Sequence, residues 1–364
     1  MKAVILAAGE GRRMRGLCSE LPKPMFPLAN RPIITNTFDR LSSMGADRVG
    51  LVVGHEGRRL QELMGDGRGF GLAITYIWQE EKLGTGHAVG LCEQFVGDEP
   101  FVLTWGDVVS HAANYPLIAR RYHAGNCDAV LAVFRVPDAS ATAAVDIEDG
   151  RVVGISEKPP PGTRPDAMAN AGIFIWPPAI FRCLRDLQPS PRGEYEFTDA
   201  IARFVESGRH VAAQPLSGYR ENVTDPETCI ATNRELLDEL LADGACRIAP
   251  DSDRGDHVDL IASEVKPGAR IGRGCCIGPH VSIGENARVG PGCRIGPNVS
   301  IGSNCSVGAQ CELSHTILMP GGVLGPASRL DYAIVDSCLR LDERTDRQGA
   351  ADRVIELLRD ELRT

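Results

Sequence analysis

Seven aliphatic residues in the last third of the chain stand six apart, Ile271, Ile277, Ile283, Val289, Ile295, Ile301 and Val307, and a glycine follows each one. A helix of period 3.6 does not keep that register. A unit of aliphatic, glycine, two variable residues, a small residue and one more predicts a short strand and a corner every six residues. Such units cannot bury their apolar side chains alone, so they must stack. Val265 carries the phase one step earlier with Lys266 in the glycine place, and Leu313 one step later with Ser314. The small position holds Cys275, Val281, Ala287, Cys293, Val299, Cys305 and Cys311, which makes four of the twelve cysteines interior fillers rather than reactive thiols.

The repeat resembles the hexapeptide pattern of left-handed parallel β-helices, in which three hexads make one triangular coil. Its phase slips at Leu324-Gly325 and dissolves by Leu341, so the β-helix is expected over residues 259–342. A tail, 343–364, is expected to end in a short amphipathic helix carrying Val354, Leu358 and Leu362. Residues 243–258 are polar and broken by Gly244, Pro250 and Gly255, and read as a linker. That leaves 1–242 as a first domain.

The first domain opens on an apolar run, Ala3 to Ala7, with the length of a buried parallel strand. It leads into Ala8-Gly9-Glu10-Gly11, where small residues let backbone N–H groups close around a phosphate. Arg13 follows the glycines, and Lys23 is held between Pro22 and Pro24. Further strands are expected at Val49–Val53, Ile74–Trp78, Phe101–Thr104 and Ala129–Val136, with helical stretches between them. That alternation implies a Rossmann-like, doubly wound α/β sheet, on which ligands bind at the carboxyl ends of the strands. Gly9, Gln79 and Asp107 each stand just after an expected strand. Ala144–Ile147 and Val152–Ile155 read as a hairpin around Asp149-Gly150, and Asp225-Pro226 as the cap and first turn of a long helix.

A net charge of −9 argues against nucleic acid as a partner, while a local Arg/Lys cluster suffices for a small anion. No apolar stretch approaches the length of a membrane span, and the chain enters its first strand without a signal-peptide pattern. The cysteines form no C-x-x-C pair, so a reducing cytoplasm is the expected compartment.

The glycine loop lacks the third glycine of a dinucleotide fingerprint, Met14 standing in its place, and no P-loop lysine follows it. The block Leu6-Ala-Ala-Gly-x-Gly-x-Arg13-Met, followed by Pro22-Lys-Pro24, resembles the signature of sugar-1-phosphate nucleotidylyltransferases. Gln79 with Leu83-Gly-Thr-Gly-His-Ala88, Gly106-Asp107, Glu157-Lys-Pro159, Asn170-Ala-Gly172, Glu196-Phe-Thr-Asp199 and Asn222–Pro226 follow in that family's order. The resemblance covers about residues 1–242, and a β-helix appendage is common in the family.

The resemblance implies attack of a sugar-1-phosphate oxygen on the α-phosphorus of a nucleoside triphosphate, with pyrophosphate leaving. It places Leu6, Ala8, Gly9, Gly11, Gln79, Gly84 and Thr85 against the nucleotide, and Glu157, Lys158 and Asn170 against the sugar phosphate. Arg13 suits the departing β,γ-phosphates, since its fork grips two oxygens; Lys23 suits the α-phosphate as a point charge. Mg²⁺ is implied with Asp107 and Asn222 as its protein ligands, Asn222 replacing the carboxylate that many members carry. UTP or dTTP is favoured by Gln79 and the Gly84-Thr85-Gly86 turn. Thr85 is also read as a helix cap, His87 as packing, and Glu196 and Asp199 as caps of the helix near Thr198. The alternatives are a guanylyltransferase, a non-catalytic regulatory homologue, and a bifunctional enzyme with acetyltransferase chemistry at His280 or His315. The β-helix is expected to serve as scaffold and homo-oligomer surface.

Overall fold

A computed structural model describes residues 1–9, 11, 14, 16–17, 21–54 and 57–358. Contacts divide the chain into two units, Met1–Glu10 with Ile34–Arg220, and Gly11–Ile33 with Glu221–Thr364. The segment after the glycine loop therefore belongs to the same unit as the C-terminal repeats, which the division at residue 242 does not anticipate.

In the first unit the strands are β1 (Lys2–Leu6), β2 (Arg48–Val53), β3 (Ala73–Trp78), β4 (Phe101–Trp105), β5 (Ala129–Asp138), β6 (Ala143–Glu148), β7 (Arg151–Glu157), β8 (Pro165–Trp176) and β9 (Val211–Pro215). They form one sheet in the order β3-β2-β1-β4-β8-β5-β9-β7-β6. The first four are mutually parallel, as the alternation with helices predicts. β8 runs antiparallel to both β4 and β5, so the sheet is mixed. The 144–155 hairpin is present, as antiparallel β6 and β7.

Helices separate the parallel strands: α1 (Ile33–Ser43), α2 (Gly57–Met64), α3 (Thr85–Gly90), α4 (Glu93–Val96) and α5 (Asn114–His123). Ile34, Phe38 and Leu41 of α1 are all buried, one face at helical spacing. Beyond β8 come α6 (Ile180–Arg185) and α7 (Phe197–Glu206). Between helices and sheet, Trp176 meets Phe197 and Phe204 edge-on, with centroids 5.9 and 5.4 Å apart.

In the second unit, α8 (Pro226–Leu240) starts with a reciprocal cap. The Asp225 side chain accepts from Thr228 N at 2.9 Å, and Thr228 Oγ1 accepts from Asp225 N at 3.0 Å. The repeats form three ladders of short parallel strands. In one, Ser263 pairs with Val281 and Val281 with Val299, eighteen residues apart each time. Past Ile301 the return shortens to seventeen, Ser300 pairing with Ile317 and Ser306 with Val323, which is the phase slip seen at Leu324. The hexad aliphatics and the small residues make one continuous core. Cys275, Cys293 and Cys305 donate Sγ–H to the carbonyls of Gly290, Gly308 and Met319 at 3.1–3.2 Å. Burial pushes the Cys305 thiol up to about 12. These are fillers.

Two boundaries differ from expectation. The 243–258 stretch is no linker: Arg247–Ile248 pairs with Glu264-Val265, and Asp253–Arg254 with Arg270-Ile271, as a first polar turn of the ladders. The tail is not helical among the described residues either. Asp346–Gln348 and Ile355–Leu357 are strands that extend one ladder beside Arg329–Val335. A terminal turn exposes one side, so its outward polar residues hide the repeat from pattern reading. Leu362 lies outside the described residues.

One asparagine joins the Gly11–Ile33 segment to the ladders. Asn30 Nδ2 donates to Ser282 O and Ile301 O, both at 2.9 Å, while Lys266 Nζ reaches Asn30 O at 3.3 Å. Beside it, Asn233 Oδ1 of α8 accepts from Ala29 N and Ser300 Oγ, both at 2.8 Å.

The glycine after each hexad aliphatic is a matter of space. A Cβ at Gly284 would lie 2.6 Å from Ser303 N and 2.7 Å from Gly302 C of the next turn, backbone that cannot yield. Gly284→Ala is expected to destabilise the second unit by about 1–3 kcal/mol, as overpacking does. Calorimetry that finds its transition unmoved would contradict this packing.

Candidate active site

The parallel strands end together, and the chemistry-bearing residues stand at those ends. Ala7 N donates to Val52 O at 2.8 Å and Gly106 N to Leu6 O at 2.8 Å, so the chain leaving β1 lies beside those leaving β2 and β4. Asp107 follows at once. Among the described residues, a methyl group placed on Gly9 would meet no atom within 4 Å.

Gln79 follows β3 and is 7% exposed. Its Nε2 donates to Gly84 O at 3.1 Å and lies 3.1 Å from His87 Nδ1. The 83–86 turn is held by the segment before α7. Tyr195 N donates to Leu83 O and Gly86 N to Tyr195 O, both at 2.7 Å. Gly84 sits at φ +106°, where a Cβ would also fall 2.6 Å from Tyr195 O, so glycine is required twice over. Thr85 does not cap α3, whose N-cap is Gly84; its Oγ1 accepts from Phe197 N at 3.0 Å. Glu196 is the N-cap residue of α7, yet its side chain makes no capping bond.

Glu196 instead joins a carboxylate cluster around Glu157. Thr198 Oγ1 donates to Glu157 Oε2 at 2.6 Å. Arg192 lies 3.6 Å from Glu157 and 3.4 Å from Glu196, and Lys158 Nζ 3.9 Å from Glu157. Burial, and then the Glu157 charge, pushes the Glu196 carboxyl up, and the same two causes raise Asp199. Asn170 is buried with Oδ1 accepting from Gly172 N at 2.8 Å, which fixes the side chain at the β8 bend.

Lys23 and Asn222 stand in the second unit. Lys23 begins a single 3-10 turn, Lys23–Met25, whose entry is set by Pro22, and Phe26 N closes back on Lys23 O at 3.0 Å. Gly11 lies against the Lys23 stem, where a Cβ would stand 3.3 Å away. Asn222 Oδ1 is buried without a hydrogen-bond partner among the described residues. Arg13 lies outside the described residues. His280 pairs with Asp238, and His315 stacks on Tyr332 at 4.3 Å with Asp331 3.0 Å from Nδ1.

The nucleotidyl transferase family model matches residues 2–242. The chain belongs to this family. The family's enzyme class is therefore that of this chain, a sugar-1-phosphate nucleotidyltransferase. It is 32% identical to the low-salt glycan biosynthesis nucleotidyltransferase Agl11 of Haloferax volcanii over 72% of this chain and 73% of that one. A glucose-1-phosphate thymidylyltransferase of Streptomyces griseus is 31% identical, over 77% of each chain. The Haloferax UTP--glucose-1-phosphate uridylyltransferase AglF is 34% identical over 66% of this chain and 98% of its own length. A UDP-glucose pyrophosphorylase crystallised with UDP-glucose has the same fold over 65% of this chain and 98% of that one, with a TM-score of 0.58 at 22% identity. Residues 285–349 match the GMPPB C-terminal domain.

Three members of this nucleotidyltransferase's site escape pattern reading. Arg192 and Thr198 stand in no motif that implies contact with Glu157, and His87 looks like core on an apolar helix face.

The raised Glu196 carboxyl sets a pH dependence. In the window just above 4.5 the folded chain binds the proton more tightly than the unfolded one, so stability from this group falls as pH rises. Glu196→Gln removes that loss. Its urea midpoint relative to wild type is expected to climb between about pH 4.5 and 7; a flat difference would mean that Glu196 ionises without penalty.

Proposed function

We propose that this nucleotidyltransferase converts UTP or dTTP and a sugar-1-phosphate into a nucleoside-diphosphate sugar and pyrophosphate. The observation that carries the pyrimidine reading is Gln79, buried and pinned at the end of β3 with one amide atom uncommitted. The relatives named for UTP and for glucose-1-phosphate thymidylyl transfer support it. Guanylyl transfer is the second reading, because guanine also carries a ring N–H that a free carbonyl oxygen can accept.

The chemistry requires little beyond placement. A phosphate monoester has its second pKa near ~6, so the nucleophile is already largely a dianion at neutral pH. What the protein supplies is alignment of two repelling anions and neutralisation of the charge that develops. Lys23 sits at the α-phosphate in this reading and Arg13 at the leaving pyrophosphate. The backbone at Leu6, Ala8, Gly9 and Gly11 cradles the triphosphate, and Gln79, Gly84 and Thr85 hold the base. Glu157 and Asn170 take ring hydroxyls, and Lys158 the sugar phosphate.

Asp107 and Asn222 are the residues that would hold a divalent ion, which we take to be Mg²⁺. The fit is reasonable: Asn222 offers a buried oxygen with no protein donor among the described residues, and Mg²⁺ takes one or two protein oxygens besides phosphate. When bound, the ion withdraws charge from the phosphate oxygens. We further infer that the ladders wind as a left-handed hexapeptide β-helix, and that this domain carries homo-oligomer contacts in a cytoplasmic enzyme.

One matrix tests the function: each nucleoside triphosphate against a panel of sugar-1-phosphates, scored by pyrophosphate formed. Turnover confined to ATP or CTP would reject the proposal. Lys23→Ala is expected to lower kcat by at least about a hundredfold while the melting temperature holds. Near-normal pyrophosphate release from that variant would remove Lys23 from the mechanism. Asp107→Asn should shift the magnesium titration to higher concentration, and an unchanged curve would dismiss the metal assignment.

A further inference from the structure

His87 follows the turn that holds Gln79, and together with Gly84 O its ring holds the Gln79 amide in one orientation. Gly84 O can only accept, so the amide atom 3.1 Å from it must be Nε2. That nitrogen has two N–H groups. The second meets His87 Nδ1, also at 3.1 Å, which must therefore accept, leaving the imidazole proton on its own Nε2. Both N–H groups of Gln79 are thus committed inside the protein. Its backbone N–H is committed too, to Val53 O at 2.9 Å. Oε1 is the one polar atom of this side chain left for a ligand, and Gln79 lines a cavity of about 550 Å³ with Gly54, Trp78, Glu80 and Lys82.

A free glutamine amide reads a base edge with either polarity, because a half-turn about its last bond swaps donor and acceptor. Here that turn would set Oε1 against Gly84 O. It would also demand the other imidazole tautomer, with the proton on Nδ1. Gly84 cannot move aside, since Tyr195 brackets the turn through Leu83 O and Gly86 N.

We infer that His87 is a positioning residue for base selection: it locks Gln79 into presenting an acceptor, so that bases with a ring N–H are taken and cytosine and adenine are refused. Uracil and thymine offer N3–H and guanine N1–H, where cytosine and adenine carry a lone pair that Oε1 repels. The inference rests on the nucleotidyl-transfer reading above and adds how its base is chosen.

The test compares wild type, His87→Ala and His87→Asn, measuring kcat/KM for UTP, dTTP, GTP, CTP and ATP with one accepted sugar-1-phosphate. Wild type is expected to discriminate against CTP. His87→Ala removes one of the two acceptors that hold the amide, and the ratio of UTP or dTTP to CTP should fall by up to about tenfold, mostly through KM. His87→Asn, whose Oδ1 can stand where Nδ1 stood, should restore most of that ratio. A uniform loss across all five nucleotides would mean that His87 only packs, and would overturn the inference. ¹⁵N NMR of the wild-type imidazole gives a second readout that needs no variant to fold: the neutral Nε2–H form is expected, and an Nδ1–H form overturns the lock. A wild type that prefers UTP or dTTP while His87→Ala leaves the ratio unchanged rejects the His87 assignment alone. A preference for CTP or ATP rejects both readings. A preference for GTP rejects only the pyrimidine reading, and the same tenfold fall is then sought in the GTP to CTP ratio.

Discussion

Parallel pairing of β1 with β2 and β4 is the constraint on which the first unit's chemistry depends. Parallel strands all finish at one edge of a sheet, so loops distant in sequence leave from neighbouring points. The bonds Ala7 N to Val52 O and Gly106 N to Leu6 O are the last rungs of that pairing. They set the glycine loop beside Gly106 and Asp107, about a hundred residues later in the chain. Gln79 leaves from the same edge after β3.

A second layer of constraint ties the 83–86 turn to the carboxylate cluster around Glu157. Residues 83–86 are zipped to 195–197 through Tyr195, and Thr85 Oγ1 accepts from Phe197 N. Thr198, the next residue, donates to Glu157. A continuous set of hydrogen bonds therefore runs from Gln79 through the 84–86 turn to the carboxylate cluster. The second unit has its own version, in which Asn30 and Asn233 fasten the segment carrying Lys23 to α8 and the parallel ladders.

Much of this was legible in the residues. Period-six aliphatics permitted nothing but stacked short strands, and the seven hexad aliphatics are all buried. Strands that must be buried on both faces announced themselves as apolar runs, which is why β1, β2 and β4 could be placed nearly to the residue. What failed did so for physical reasons. The 243–258 and 346–357 turns are strands without the repeat, because a terminal turn shows solvent an outer side. Thr85 and Glu196 were read as helix caps from position alone, but backbone partners from distant segments claimed Thr85, and Arg192 and Ser190 hold Glu196.

The sequence by itself determined the α/β class of the first unit, the stacking of short strands in the second, and the family. Periodicity and small-residue loops are local properties, and local patterns are enough to specify them. Only the tertiary structure decided how those residues are oriented. The polarity of Gln79, the partner of Thr85 and the anchoring of the Lys23 segment each depend on hydrogen bonds between groups far apart in the chain. Such a bond is set by where two backbones cross, and no spacing within one segment encodes that crossing.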